Sequence, residues 1–251
     1  LVSRDGKMWH SFSHHTRFSG TDPDAVIAHI NSSLENARSF LRGASVAVIT
    51  LGSRRCYRLK PTGKAVANCH KFPSSCFEIA DLSADECASL IGKATAALRS
   101  VSPGLRVILT VSPIRHIADG LHANALSKAT LLLAAEEAAE ADPDTIYFPA
   151  FETMTDDLRD YRFYDADMIH PSATAADYIY ELFAQSFFSS KTIELARQSL
   201  NFAKFLRHRP LTADSAAEHA AAIARQASKL KEIAPELAPA IKKLIENETR
   251  H

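Results

Sequence analysis

The chain lacks most of the marks by which a sequence declares its chemistry. It has no excess charge, because 29 Lys and Arg balance 29 Asp and Glu. That argues against nucleic acid or an anionic membrane as the main partner. Its apolar runs are too short and too often broken to span a bilayer. The four cysteines, Cys56, Cys69, Cys76 and Cys87, form no C-x-x-C pair and stand at no zinc-finger spacing from a histidine. They do not read as a disulfide framework, which favours a reducing compartment, so a cytoplasmic location is expected. No signal peptide is visible, in a chain that opens on Leu1. No spacing suits a metal, and no cofactor is expected. There is also no G-x-S-x-G, which removes the nucleophile elbow of the α/β hydrolases.

What is present is a globular composition, 46% hydrophobic and 23% charged over 251 residues. That is enough for one domain with a sizeable core and an appendage. Residues 1–20 are polar, aromatic and aperiodic and read as loop. Thr21 or Asp22 caps a helix with Pro23 in its first turn. Val26, Ile27, Ile30, Leu34, Ala37 and Leu41 recur at helical spacing and predict one buried face, with Gly43 ending the helix. SVAVITL at 45–51 predicts a strand buried on both faces. Gly52 follows at once, and 53–75 reads as a long loop without period. Ser83 to Glu86 is a capping box for a helix running to about Arg99. LRVILTV at 105–111 is a second buried strand, and SPIRHIADG at 112–120 a polar loop. A helix starts at Asn124 and runs to about Ala141; TIYFP at 145–149 is a third short strand. After a charged loop, Ser172 caps a helix to about Phe188.

Alternating helices and strands imply right-handed crossovers, a parallel sheet and helices on both faces. In such sheets ligands bind outside the carboxyl ends of the strands. The loops 52–75, 112–122 and 151–170 are therefore expected to converge on one side. Three strands are few for so long an α/β pattern, so an amino-terminal portion with at least one central strand is expected to be absent. Residues 190–251 differ from the domain at 1–189. They are rich in Ala and Lys, and Ala216, Ala220, Ile223, Ala227, Leu230, Ala234, Leu237, Ile241 and Leu244 form a heptad-like seam. Pro235 and Pro239 break it. Two or three packed helices are expected, and the alternative use of the seam is self-association.

The residues with most chemistry lie in YRFYDADMIHPS, 161–172. Asp167 stands three residues before His170, close enough to orient an imidazole and prepare it as a general base. The plainer reading is a histidine satisfied by an aspartate at a helix start. Gly52 would offer a backbone N–H to a developing oxyanion, and Asn68 a side-chain donor, against its more common role in an Asx turn. Arg115, His116 and Asp119 share the loop after the second strand; they either position substrate or hold the loop through an internal ion pair. Asp157, Arg159, Asp160, Arg162 and Asp165 read as a loop-fixing net. Ser53 and the Cys69–His70 neighbours are weak candidates for a nucleophile.

TLGSRRCY, VANCHKFP, TVSPIRHIADG with NALSKA, YFPAFE and DDLRDYRFYDADMIHPS occur in this order between about Met8 and Phe188. Together they closely resemble the GSCFA-domain family, a bacterial branch similar to the SGNH (GDSL-like) hydrolases. The resemblance implies a three-layer α/β/α sandwich with a flavodoxin-like parallel sheet. It implies that Asp167 and His170 are the acid and base of a triad and that Gly52 belongs to the oxyanion hole. The family's Gly-Ser-Cys-Phe-Ala nucleophile block is not in this sequence; Ser75, Cys76 and Phe77 echo only three letters of it. The Asn expected two residues after Gly52 is Arg54. The function implied is an esterase or deacylase acting on O-acyl esters of a small molecule or carbohydrate, with its serine upstream of Leu1. This chain alone would then be inactive. The alternatives are an inactive carbohydrate-binding module of the same fold and an acyltransferase.

Overall fold

The computed structural model describes residues 1–207 and 213–249, without the side chains of 213–217 and 248–249. The strands are β1 (Val2–Ser3), β2 (Trp9–His10), β3 (Val46–Leu51), β4 (Arg55–Leu59), β5 (Ala65–Val66), β6 (Phe77–Asp81), β7 (Arg106–Val111) and β8 (Thr145–Tyr147). The helices are α1 (Pro23–Leu41), α2 (Ala84–Val101), α3 (Leu121–Glu140), the short α4 (Ala150–Glu152), α5 (Ala173–Phe187), α6 (Ser190–Leu206), α7 (Ala213–Ile233) and α8 (Ala238–Thr249). The chain divides into two compact units, Leu1–Ile179 and Tyr180–His251. Among the described residues no helix is long and apolar enough to cross a membrane.

The first unit is α/β, built on a parallel sheet in the order β3-β7-β8. Pairing runs from Val46 opposite Arg106 to Leu51 opposite Val111, and from Val107 opposite Thr145 to Leu109 opposite Tyr147. The central strand β7 is the most apolar, and Val107, Leu109 and Val111 are wholly buried. They pack with Cys87, Ala88 and Ile91 of α2 and Leu131, Ala134 and Ala135 of α3. Each buried Val, Leu or Ile here contributes roughly 1.5–3 kcal/mol through burial, and each Ala less. The caps are local: Asp22 accepts from Asp24 N–H ahead of Pro23, and Ser83 and Glu86 close a capping box on α2.

Several expectations need correction. The strand at 46–51 is not buried on both faces, because it lies at the edge of the sheet and its outer edge pairs with no other strand among the described residues. Ala47, Ile49 and Leu51 pack on the α2/α3 side. The alternate residues Val46 and Val48 are 43% and 52% exposed, in line with Ile146 of β8 at 42%. On α1 only Val26 and Ile30 are buried, while Ile27 and Leu34 are exposed. The expected loop 53–75 holds β4 and β5, which join β6 in a three-stranded antiparallel sheet of order β5-β4-β6. The chain turns between β4 and β5 at Gly63, whose φ of 64° suits a residue without a side chain. Helix α3 begins at Leu121, one turn earlier than Asn124.

On the less covered face of the sheet, Thr110 is buried with no hydrogen bond to its Oγ1. A buried hydroxyl without a partner loses its hydration uncompensated. Thr110→Val is therefore expected to raise the unfolding free energy by about 1 kcal/mol. A urea melt that shows a loss instead would mean the hydroxyl has a partner.

In the second unit α6, α7 and α8 pack around Phe202, Leu206, Ala227, Leu230 and Ile241, with Ile223, Leu237 and Leu244 alongside. Much of the heptad-like seam is thus spent within the unit. Ala234 is also buried, and Ala216 has its side chain outside the described residues. The break falls where the prolines stand, at the short turn Pro235–Leu237.

Candidate active site

The segment 160–172 is a compact loop whose form follows from its own polar groups. Asp160 accepts from Arg162 N–H and starts the single turn Tyr161–Phe163. The chain then folds back, with Asp165 N–H donating to His170 O at 2.8 Å and Met168 N–H to Asp165 O at 2.9 Å. Met168 takes φ 61°, so the loop reverses through a conformation that non-glycine residues seldom adopt. This reversal brings Asp167 against His170. Nδ1 of His170 lies 2.6 Å from Asp167 Oδ2. The second oxygen, Oδ1, accepts from the backbone N–H of Ile169 at 2.8 Å and of His170 at 3.0 Å. The backbone N–H of His170, its ring and the N–H of Ile169 hold the Asp167 carboxyl down to about 2. A carboxylate so fixed keeps the proton on Nδ1 and leaves Nε2 with its lone pair free to take a proton. Nε2 has no hydrogen-bond partner among the described residues, and the ring is 55% exposed.

A second strand-end loop braces the first. Arg115 N–H donates to Ile169 O at 3.3 Å, and its guanidinium reaches Met168 O at 3.4 Å. The same guanidinium lies 3.9 Å over the ring of Tyr164. Arg115 thus braces the dyad loop, through carbonyls and an aromatic face and not through an ion pair. Asp119 pairs with Arg55 of β4, which also binds Asp81 at 3.1 Å. The internal ion pair at this loop thus joins Asp119 to Arg55 rather than to Arg115. His116 lies against Gly52: a Cβ on Gly52 would stand 3.8 Å from its Nε2. Ser53, Arg55, Tyr57, His116, Asp119 and Ile169 line a cavity of about 470 Å³, together with Arg115, Ile117 and Ala118. The loops after β3 and β7 and the dyad loop thus meet on one side of the sheet.

Other expected site residues lie elsewhere in the network. Asn68 Oδ1 accepts from His70 N–H at 2.8 Å, and its Nδ2 donates to Thr16. No hydrogen bond joins Asn68 to Gly52 or His170 among the described residues. Its bonds follow the Asx-turn reading. Arg54 turns its guanidinium to Thr130 Oγ1 and Asp81. Ser53 Oγ accepts from Arg55 N–H, with Ser127 Oγ 3.4 Å away. The Cys69 thiol is pushed up by burial, opposite to what a thiolate nucleophile needs. His70 is engaged by Ser11 O at 2.8 Å. In the expected loop net, Arg159 pairs with Asp156 and Arg162 with Asp160, while Asp157 accepts from Tyr178.

Reading the sequence missed three residues on one face of α3. Asn124 Oδ1 accepts from His116 N–H at 2.9 Å. Ser127 Oγ accepts from Arg54 N–H at 2.9 Å. Lys128, only 2% exposed, donates to Gly52 O at 2.8 Å. Positions i, i+3 and i+4 share a helical face, so NALSKA fastens two strand-end loops at once. The available signal was a lysine in an otherwise Ala- and Leu-rich helix.

A parallel α/β sheet with an oriented Asp–His pair among its strand-end loops defines an α/β protein with a candidate acid–base site. The GSCFA family model matches residues 1–183, and the chain belongs to that family. No curated protein matches the chain.

Proposed function

We propose that this domain is an ester hydrolase similar to the SGNH group, an esterase or deacylase in which His170 is the general base and Asp167 orients it. The observation that carries the reading is the dyad: a 2.6 Å Nδ1–Oδ2 contact with two backbone N–H groups on the other carboxylate oxygen. An imidazole held in this way needs only a hydroxyl at Nε2 to become a nucleophile's base. The serine is assigned to a strand that pairs with the free edge of β3 and ends beside Gly52. The unpaired edge and the exposed Val46 and Val48 favour such a strand. Attack on an acyl ester gives a tetrahedral oxyanion, for which backbone N–H groups near Gly52 are the donors. The O-acyl group sits on a carbohydrate or small alcohol by analogy of fold group alone.

The test is turnover of short acyl esters by the longer protein that includes the upstream sequence. His170→Ala is expected to lower kcat by about 10³ or more. Unchanged turnover would sink the reading. A second reading, a carbohydrate-binding module of the same fold, draws on Arg54. Its guanidinium is turned to Thr130 and Asp81, so no side-chain amide is supplied at that position. Saturable sugar binding without any ester turnover would favour it.

A further inference from the structure

We propose that Lys128 is a positioning residue that turns the Gly52–Ser53 peptide into the anion-binding element of the cavity, with the Ser53 N–H as the donor to a carboxyl or ester oxygen. The inference rests on the reading above only for the kind of ligand.

The Gly52–Ser53 peptide plane fixes two opposed directions. No peptide bond in the described residues is cis, so the Gly52 carbonyl and the Ser53 N–H point in opposite directions. The carbonyl is drawn to the Lys128 ammonium on α3 at 2.8 Å. The Ser53 N–H must then point away from α3, and Ser53 lines the cavity beside His116. That N–H has no acceptor among the described residues. The next N–H along, of Arg54, is bound to Ser127 Oγ at 2.9 Å, so the loop cannot rotate to hide the free one. Adjacent residues of one helix thus fix the peptide from two sides.

The charge on Lys128 is not balanced locally. Arg54 and Arg55 face Asp81, and Arg55 also faces Asp119, so two cations meet two carboxylates. His116 lies against Gly52. No carboxylate reaches Lys128 among the described residues, and burial alone pushes its ammonium down to about 8. A cation on a carbonyl oxygen polarises the peptide and strengthens its N–H as a donor. Its field also reaches the cavity through a low-dielectric interior. An anion bound at Ser53 therefore gains from Lys128 without touching it.

Acetate, the product of acetyl-ester cleavage, is the probe. In the 251-residue chain, ¹H–¹⁵N spectra with increasing acetate are expected to show a saturable shift of the Ser53 amide at pH 7.5. Lys128→Met is expected to weaken that binding about tenfold, the loss of one charge-assisted contribution. In the wild type the affinity falls by a similar factor between pH 7.5 and 9.5 as the ammonium loses its proton, while in the Met variant it stays flat. A purely structural lysine would not produce that pH difference. The inference is overturned if the Ser53 amide does not respond, or if the wild-type affinity is level across this range. Acetate binding without ester turnover, even when the upstream sequence is present, would keep this inference and remove the hydrolase reading. Turnover with no pH-dependent acetate site would do the reverse.

Discussion

Replacing Asp167 with asparagine is expected to lower kcat/KM for the proposed ester hydrolysis on the order of 10⁴-fold once the proposed upstream serine is present, with the fold unchanged. The reason is the direction of the proton on His170. In the wild type, Oδ2 faces Nδ1 while Oδ1 accepts from the backbone N–H groups of Ile169 and His170. An asparagine has one acceptor oxygen and one donor amide. Two backbone donors require that the oxygen stay with them, which leaves the amide facing Nδ1. Nδ1 must then accept, and the ring proton moves to Nε2. The imidazole keeps its place but presents a donor where a base is needed. The tautomer is visible in the ¹⁵N shifts of His170 and needs no substrate, so it is measurable on this chain alone. Retention of the Nδ1–H tautomer in Asp167→Asn would contradict the geometry on which the base is assigned. Activity within tenfold of wild type would contradict the assignment itself.

The dyad was legible because it is local. Asp167 and His170 are three residues apart, and most of the groups that shape their loop lie between 160 and 172, with Arg115 bracing it from outside. The central strand β7 was legible because Val107–Val111 is apolar but for Thr110, which leaves few other fates for it. The small sheet of β4, β5 and β6 was not. Arg55–Leu59 interleaves Arg55 and Arg58 with Cys56, Tyr57 and Leu59, and only half-buried pairing organises them. Its one local signal is the Thr62–Gly63 turn. The edge exposure of β3 was hidden for a different reason: an apolar run reports the tendency to be buried, not whether a neighbour is there to do it. Contacts across long separations were least accessible. Lys128 and Gly52 lie 76 residues apart, and Arg55 and Asp119 are 64 apart. Topology predicted that these loops share a side of the sheet, but not which side chains would meet there. Asn68 reaches Thr16 across 52 residues and Arg115 reaches Met168 across 53, partners that only the folded chain brings near.

Lys128 also predicts how stability depends on pH. Its ammonium is buried without a carboxylate, and its pKa falls from 10.5 to about 8. The unfolded chain therefore binds more protons at this site than the folded one between about pH 8 and 10.5. Stability then rises with pH across that window, is level above it, and carries the full penalty below about pH 8. At about 1.4 kcal/mol per pH unit the penalty is about 3 kcal/mol at neutral pH. Lys128→Met fills the same space with an uncharged chain and removes that term. It also leaves Gly52 O without its donor, at a cost of about 1–2 kcal/mol. The variant is thus expected to be more stable than wild type by about 1–2 kcal/mol at pH 7. Above pH 10.5 the order inverts by a similar amount, because the neutral amine of the wild type still serves the carbonyl without a charge to bury. Urea unfolding of both proteins from pH 7 to 11 measures the difference, in which the titrations common to both cancel. Curves that run parallel throughout would mean that Lys128 is not buried as an unpaired cation. A protein that accepts such a cost beneath Gly52 holds the strand-end peptide in one orientation at the expense of stability, as a site for an anion would require.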